Sequence, residues 1–338
     1  MRKNNGTYYF DEPPLIVASA GVAGKKEGEG PLKNYFDAVF EDTTMGVNSF
    51  EQAESAMLHD AFIRALSKAG KSPSEIDMVM CGDLLDQCVG SCFALKDLEM
   101  PFVGMYGACS TMALTLCNAC FAVDAGANTV VVGASSHFAS SERQFRFPLE
   151  YGGQRPQTSQ WTVTGAGVVQ NPKTAAESEK GSPHISAVHI GTITDLGIKD
   201  ANNMGAAMAP AAARTIGGFL SDTGTSPDDY DMIVTGDLGY TGSTLLYELI
   251  KREYGVDIRS VHKDCGLMIF DLEEQDVHSG GSGCGCSASV LCSYLLGEMN
   301  KGRLHKILFT ATGALMSPTS CKQGQPIPGI AHSVLIEI

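Results

Sequence analysis

The chain has 338 residues, 43% of them hydrophobic, with 38 glycines, 18% charged residues and a formal charge of −14. That length and apolar content allow a large core and rule out a disordered chain, and so many glycines suit an α/β protein with tight strand-to-helix turns. The acidic balance argues against nucleic acid, whose phosphates need clustered Lys and Arg, and against direct adhesion to an anionic bilayer.

In chain order, MRKNNGTYYFDEPPLIV at the start carries basic residues but no apolar core with a small-residue cleavage site, so it does not read as a secretory signal. FEQAESAMLHDAFIRALSKAG (50–70) places apolar residues near i, i+3, i+4 and i+7 and stops at Gly70, which predicts an amphipathic helix. SPSEID follows as a turn, and then DMVMCGDLLD (77–86) as a buried strand. GACSTMALTLCNACFAVDAG (107–126) predicts a helix of about four turns opened by a Gly/Cys/Ser turn, and ANTVVVGASS a strand behind it. The longest apolar runs, such as NTVVVGA (128–134), are far shorter than the roughly 20 residues a membrane span needs. Membrane association is therefore expected only through partners.

The same units return after the polar junction NPKTAAESEKGSP (171–183). APAAARTIGGFLSDTG, then SPDDYD, then DMIVTGDLGY (231–240) repeat helix, turn and strand, and GCGCSASVLCSYLLGEMNKG (283–302) with RLHKILFTATG repeats helix and strand. Two matched blocks in one order predict an internal duplication. Eleven cysteines, several inside apolar helical patterns (Cys117, Cys120, Cys292), read as reduced, buried thiols. GGSGCGC (280–286) lacks GxGxxG and the Lys-Ser/Thr of a phosphate loop, and the cysteine spacings lack a doubled CxxC, so no cofactor and no resident metal is expected.

The cysteine of GACST followed by VVVGASS and TVTGAGVVQ (162–170), within a duplicated α/β chain, resembles the thiolase and ketosynthase superfamily over nearly the whole length. The resemblance implies a thiolase-like five-layer α-β-α-β-α fold built from two duplicated halves, 1–175 and 176–338, and a homodimer formed through the first half. Cys109 matches the position of the nucleophile, and Gly165-Ala166-Gly167 the glycine-rich strand. Within that superfamily ERQFRFPLEYGGQ (142–154), MGAAMAPAAA (204–213), HKDCGLMIF (262–270) and GGSGCGCSA (280–288) closely resemble the stage V sporulation protein AD family of endospore-forming bacteria. That resemblance implies binding of dipicolinic acid, with calcium as its chelate partner, together with the other SpoVA membrane proteins, peripheral to the spore inner membrane.

Two of the positions a condensing enzyme needs are filled differently. Glycine or aspartate of Thr235-Gly236-Asp237 stands where the superfamily has its histidine, and Ser282 where asparagine is usual. His137, His262 and His332 are candidates to face the pocket; His59, His184, His189 and His305 read as structural or surface residues. A thiol at a helix N-terminus is favoured as the anion by the peptide dipoles. For the implied ligand, a flat dianion, donors are needed at both ends of an apolar slot. The candidates are Cys109 and Ser110 at the helix start, His137, Arg143 and Arg146, Lys263, Ser282, and Asp83, for which helix capping is the plainer role. Three readings stay open here: a catalytically silent binding protein, an active acyl-CoA or acyl-carrier condensing enzyme using Cys109, and a scaffold with a vestigial pocket.

Overall fold

The computed structural model describes residues 1–146, 155–172 and 181–338. The junction at 173–180, with the 175/176 boundary, lies outside the described residues, as do residues 147–154 of the ERQFRFPLEYGGQ motif.

The predicted helix stop Gly70 is a left-handed glycine at φ 62°, and Gly224 at φ 67° does the same in the second half, each closing a 20-residue helix, Phe50–Ala69 and Met204–Thr223. A residue with a Cβ is disfavoured there, which is why glycine ends the helix. Each SP turn is a single 3-10 turn, Pro73–Glu75 and Pro227–Asp229, with a capping box from Ser72 to Glu75 and from Ser226 to Asp229.

The strands make two sheets of matching order. In the first, Ala18–Gly24, Gly165–Pro172, Thr129–Ser136, Met78–Gly82 and Phe102–Gly104 lie side by side, with Ala38–Phe40 added outside Ala18–Gly24. In the second, the sequence is His184–Ile190, Gly329–Glu337, Lys306–Ala314, Met232–Thr235 and His262–Asp264. The pairings run antiparallel, antiparallel, parallel, parallel in both. The predicted duplication is thus a duplication of sheet topology. One exchange crosses it: the hairpin of Arg2–Asn4 and Thr7–Tyr9 adds to the edge of the second sheet, against His184–Ile190.

Thr111–Asp124 and the helix of 284–300 lie between the sheets, Phe50–Ala69 covers the first from outside, and Met204–Thr223 with Gly239–Tyr254 covers the second. The order is helix, sheet, helix, sheet, helix. The middle layer carries the largest apolar cluster, including Met112, Leu116, Val132, Leu291, Leu295, Phe309 and Val334, all unexposed. The inner helix of the second half is not regular as the sequence suggests. It takes a π turn at Leu291–Leu295, where Ser19 Oγ donates to the Cys292 carbonyl at 2.8 Å and Ser293 Oγ to that of Ser289 at 2.6 Å.

Candidate functional site

Cys109 stands in a tight turn leading into Thr111–Asp124. Ala108 has φ 51°, Ser110 Oγ donates to the Gly107 carbonyl at 2.7 Å, and Thr111 Oγ1 donates to that of Ala108 at 2.7 Å. The turn lies against the strand Lys306–Ala314 so closely that a Cβ on Gly313 would come within 2.4 Å of the Gly107 carbonyl. A short parallel pairing of Gly281–Ser282 with Trp161–Thr162 brings Ser282 across from the second half. Ser282 Oγ lies 4.0 Å from Cys109 Sγ.

Behind the pair is Asp237, fully buried. Its carboxylate accepts from Ser282 Oγ at 3.2 Å, from the Gly283 backbone N–H at 2.9 Å and from Thr312 Oγ1 at 2.9 Å. Burial pushes the Asp237 carboxyl up to about 7, against hydrogen bonds from Cys109, Gly283 and Thr312 and with the nearby charge of Asp264 adding to the rise. Burial, then the charge and hydrogen bonding of Asp237, hold the Cys109 thiol well above its ordinary value. The helix-dipole argument from sequence therefore loses to desolvation: the dipole favours an anion modestly, whereas an unpaired buried charge beside a carboxylate is expensive.

The cavity in front of Cys109 holds about 430 Å³ of empty space including its open mouth. Its walls are Leu84, Tyr106, Ala108, Phe145, Met204, Ala314 and Met316, with Cys109, Ser141, Glu142, Thr162 and Ser282 as polar groups. It is a narrow apolar slot, and no Lys, Arg or His lines it among the described residues.

Of the eight candidates, the structure brings Cys109 and Ser282 together at this cavity. Ser110 is buried behind it, its hydroxyl and backbone N–H both given to Gly107. His137 belongs to a separate cavity with Phe50, Phe138 and Trp161: its ring stacks on Phe50, Nδ1 accepts from Ala139 N–H and Nε2 donates to the Thr43 carbonyl at 2.9 Å. Arg143 is exposed and pairs with Glu51. Asp83 caps the helix Val89–Leu95 through Ser91 N–H at 2.7 Å and Ser91 Oγ at 2.6 Å. Lys263 is exposed on His262–Asp264, and the Arg146 side chain lies outside the described residues.

His262 is spent between Thr235 Oγ1 and Tyr247 OH, each at 2.9 Å, and neither it nor His332 lines the slot. Burial brings both imidazoles down to about 4. His189, read from sequence as close to the surface, is 8% exposed and lies 2.8 Å from Thr7 Oγ1, because the N-terminal hairpin covers it. Among the described residues no group of three or more His, Cys, Asp or Glu converges as a metal site. Sequence reading passed over Ser141, Glu142, Thr162 and Thr312. Ser141 and Glu142 do fall within one turn of the ERQFR stretch, which was their one available signal.

All eleven cysteines are free thiols, and Cys92 is the exposed one. Native-state alkylation at pH 8 is expected to label Cys92 first and Cys109 slower by about two orders of magnitude, since the thiolate is the reacting species. Peptide mass mapping reads this directly, and rapid labelling of Cys109 would mean a thiolate there.

Two matched sheets enclosing paired helices, with a cysteine turn at their meeting point, define the thiolase fold. Comparison with solved structures agrees: cerulenin-bound OleA of Xanthomonas campestris superposes at a TM-score of 0.63 with 12% identity over 100% of both chains. The 3-oxoacyl-[acyl-carrier-protein] synthase III of Aquifex aeolicus VF5 gives 0.58 at 13% over 96% of this chain and 100% of that one. Human mitochondrial 3-ketoacyl-CoA thiolase in complex with CoA gives 0.57 at 12% over 97% and 98%. At these identities the likeness is one of fold. Within the fold, residues 4–337 match the family model of stage V sporulation protein AD, and the Bacillus subtilis (strain 168) protein of that name is 41% identical over 332 residues, 98% of this chain and 96% of the relative. The chain belongs to the stage V sporulation protein AD family.

Proposed function

We propose that this sporulation protein binds dipicolinic acid in the slot beside Cys109, taking it as the calcium chelate for uptake into and release from the endospore, and that it does no condensing chemistry. The observation that carries the reading is the Cys109–Ser282–Asp237 arrangement. A slot is kept where thiolase-fold enzymes work, but its thiol is held protonated against a carboxylate and has no imidazole beside it among the described residues. Carbon–carbon condensation needs a thiolate, a base and an oxyanion site, and a carboxylate near the developing negative charge opposes it.

The lining bears on the form of the ligand. With a mostly apolar wall and no cationic side chain among the described lining residues, a free dianion would be poorly solvated. A calcium chelate carries no net charge, and its ring fits an apolar slot. Calorimetric titration with dipicolinate, with and without calcium, and with acetyl-CoA tests this. Saturable binding that calcium strengthens, with no acetyl-CoA response, is expected. Acylation of Cys109 with turnover would establish the enzyme reading, and silence toward every ligand would leave a scaffold.

The chain is further proposed to act with the other SpoVA membrane proteins at the spore inner membrane. Among the described residues no helix is long and apolar enough to cross a membrane, which is compatible with attachment through them. A homodimer is supported by the strand Phe102–Gly104, an outer edge of the first sheet where Phe102 is 37% and Val103 41% exposed, since such edges invite pairing. Val103→Lys is expected to shift sedimentation from dimer to monomer.

A further inference from the structure

We infer that Ser141 is the hydrogen-bonding anchor of the ligand in the slot, a role that rests on the slot being the ligand site. The serine lies on the helix Phe138–Arg146 and is 3% exposed, yet its Oγ has no hydrogen-bond partner. It also lines the cavity beside Cys109. A buried hydroxyl with nothing to bond costs stability, so such groups are few in a folded protein.

The neighbouring helices show what Ser141 forgoes. Helical serine and threonine hydroxyls ordinarily turn back to the carbonyl three or four residues earlier, and Ser55, Ser221, Ser293 and Thr244 all do so at 2.6 to 3.0 Å. Ser140, the adjacent residue, bonds the His137 carbonyl and the buried Glu54 carboxyl. Ser141 alone in this pair lines the slot with its hydroxyl left without a partner. Of the other hydroxyl-bearing residues of the slot, Ser282 already gives its hydroxyl to Asp237. Ser141 therefore holds an uncommitted O–H, suited to a carboxylate oxygen of a small planar acid whose charge a bound cation balances. The anchor also selects for ligands with an acceptor at their rim over purely apolar ones.

The test is titration of the full chain with dipicolinate in the presence of calcium, for wild type, Ser141→Ala and Ser141→Thr, with melting curves of each free protein. Ser141→Ala is expected to bind about tenfold more weakly or worse, while its ligand-free melting temperature stays level or rises, because an unpaired hydroxyl has been removed. Ser141→Thr, which keeps the hydroxyl, is expected to recover much of the affinity. Equal affinity in wild type and Ser141→Ala would overturn the anchor and leave the binding reading standing. A Ser141→Ala protein that melts lower when free, and whose weaker binding threonine does not restore, would show a packing role and also overturn the anchor. Failure of the wild type itself to bind would overturn the binding reading, and the anchor with it.

Discussion

Gly82→Ala is expected to destabilise the protein by on the order of 3 kcal/mol or more, or to prevent folding, whereas Gly236→Ala at the same place in the repeated Gly-Asp-Leu phrase costs about 1 kcal/mol or less. A Cβ on Gly82 would stand 1.8 Å from the Met105 carbonyl oxygen and 2.8 Å from Thr111 Cγ2. The oxygen is backbone, and its peptide segment is held by Met105 N–H bonding the Cys81 carbonyl at 2.9 Å, so it cannot swing aside as a side chain would. On Gly236 the nearest atoms are Ala311 Cα at 3.1 Å and Ser287 Cβ at 3.3 Å, tight but open to small shifts. The asymmetry comes from the path of the chain beyond each outer strand. After Phe102–Gly104 the chain crosses Gly82 on its way to the Cys109 turn; after His262–Asp264 it enters the short helix Cys265–Met268 instead. Urea denaturation of both variants measures the difference, and equal losses would show that the crossing is softer than its geometry.

Asp237→Asn is the second large effect, and it is a gain. The Asp237 carboxyl, burial-raised to about 7, sits above its ordinary value of about 4. Below about pH 4 folded and unfolded chains both hold the proton. Between about 4 and 7 the unfolded chain releases it while the folded one keeps it, so stability falls as pH rises, and above 7 the folded state carries a buried anion. Glu27 and Glu54, raised by burial to about 7 and about 8, act in the same direction. Asparagine keeps an acceptor for Ser282 and the Gly283 N–H and can donate to Thr312. The variant should therefore match wild type near pH 4, exceed it by about 2 kcal/mol near pH 5.5 and by on the order of 4 kcal/mol near pH 8.5, and show a shallower fall of melting temperature with pH. A variant less stable than wild type at pH 8.5 would mean that the anion is well compensated.

The ligand should respond to the same proton. Asp237 stands beside Cys109 and Ser282 at the slot, so its ionisation above about pH 7 adds negative charge there. Dipicolinate without calcium is expected to bind less well as pH rises through that range, and the neutral chelate to lose less.

Much of the frame was legible in the residues themselves. Gly70 and Gly224 announce helix ends because only glycine takes that backbone conformation without penalty, and Ser72-Pro73 and Ser226-Pro227 announce capped turns because their hydrogen bonds are local. The repeat was readable because each half carries the same local signals in the same order. The longer motifs pointed to the family, and Cys109 and Ser282 to the slot. The other candidates failed to gather because charge type says nothing of direction: Arg143 turns outward to Glu51, Asp83 turns inward to Ser91, and His137 meets Phe50 in another cavity.

The amino-acid sequence alone determined the duplicated α/β architecture and the location of the thiol, which rest on periodicities and contacts a few residues long, while its longer motifs carried the resemblance to the family. Tertiary structure alone decided which groups share the slot and which way their protons lie. Ser282 reaches Cys109 across 173 residues of chain, and Asp237 reaches Ser282 across 45. The protonation of Cys109 follows from desolvation between two packed halves and from that carboxylate, and neither exists until the halves close on each other.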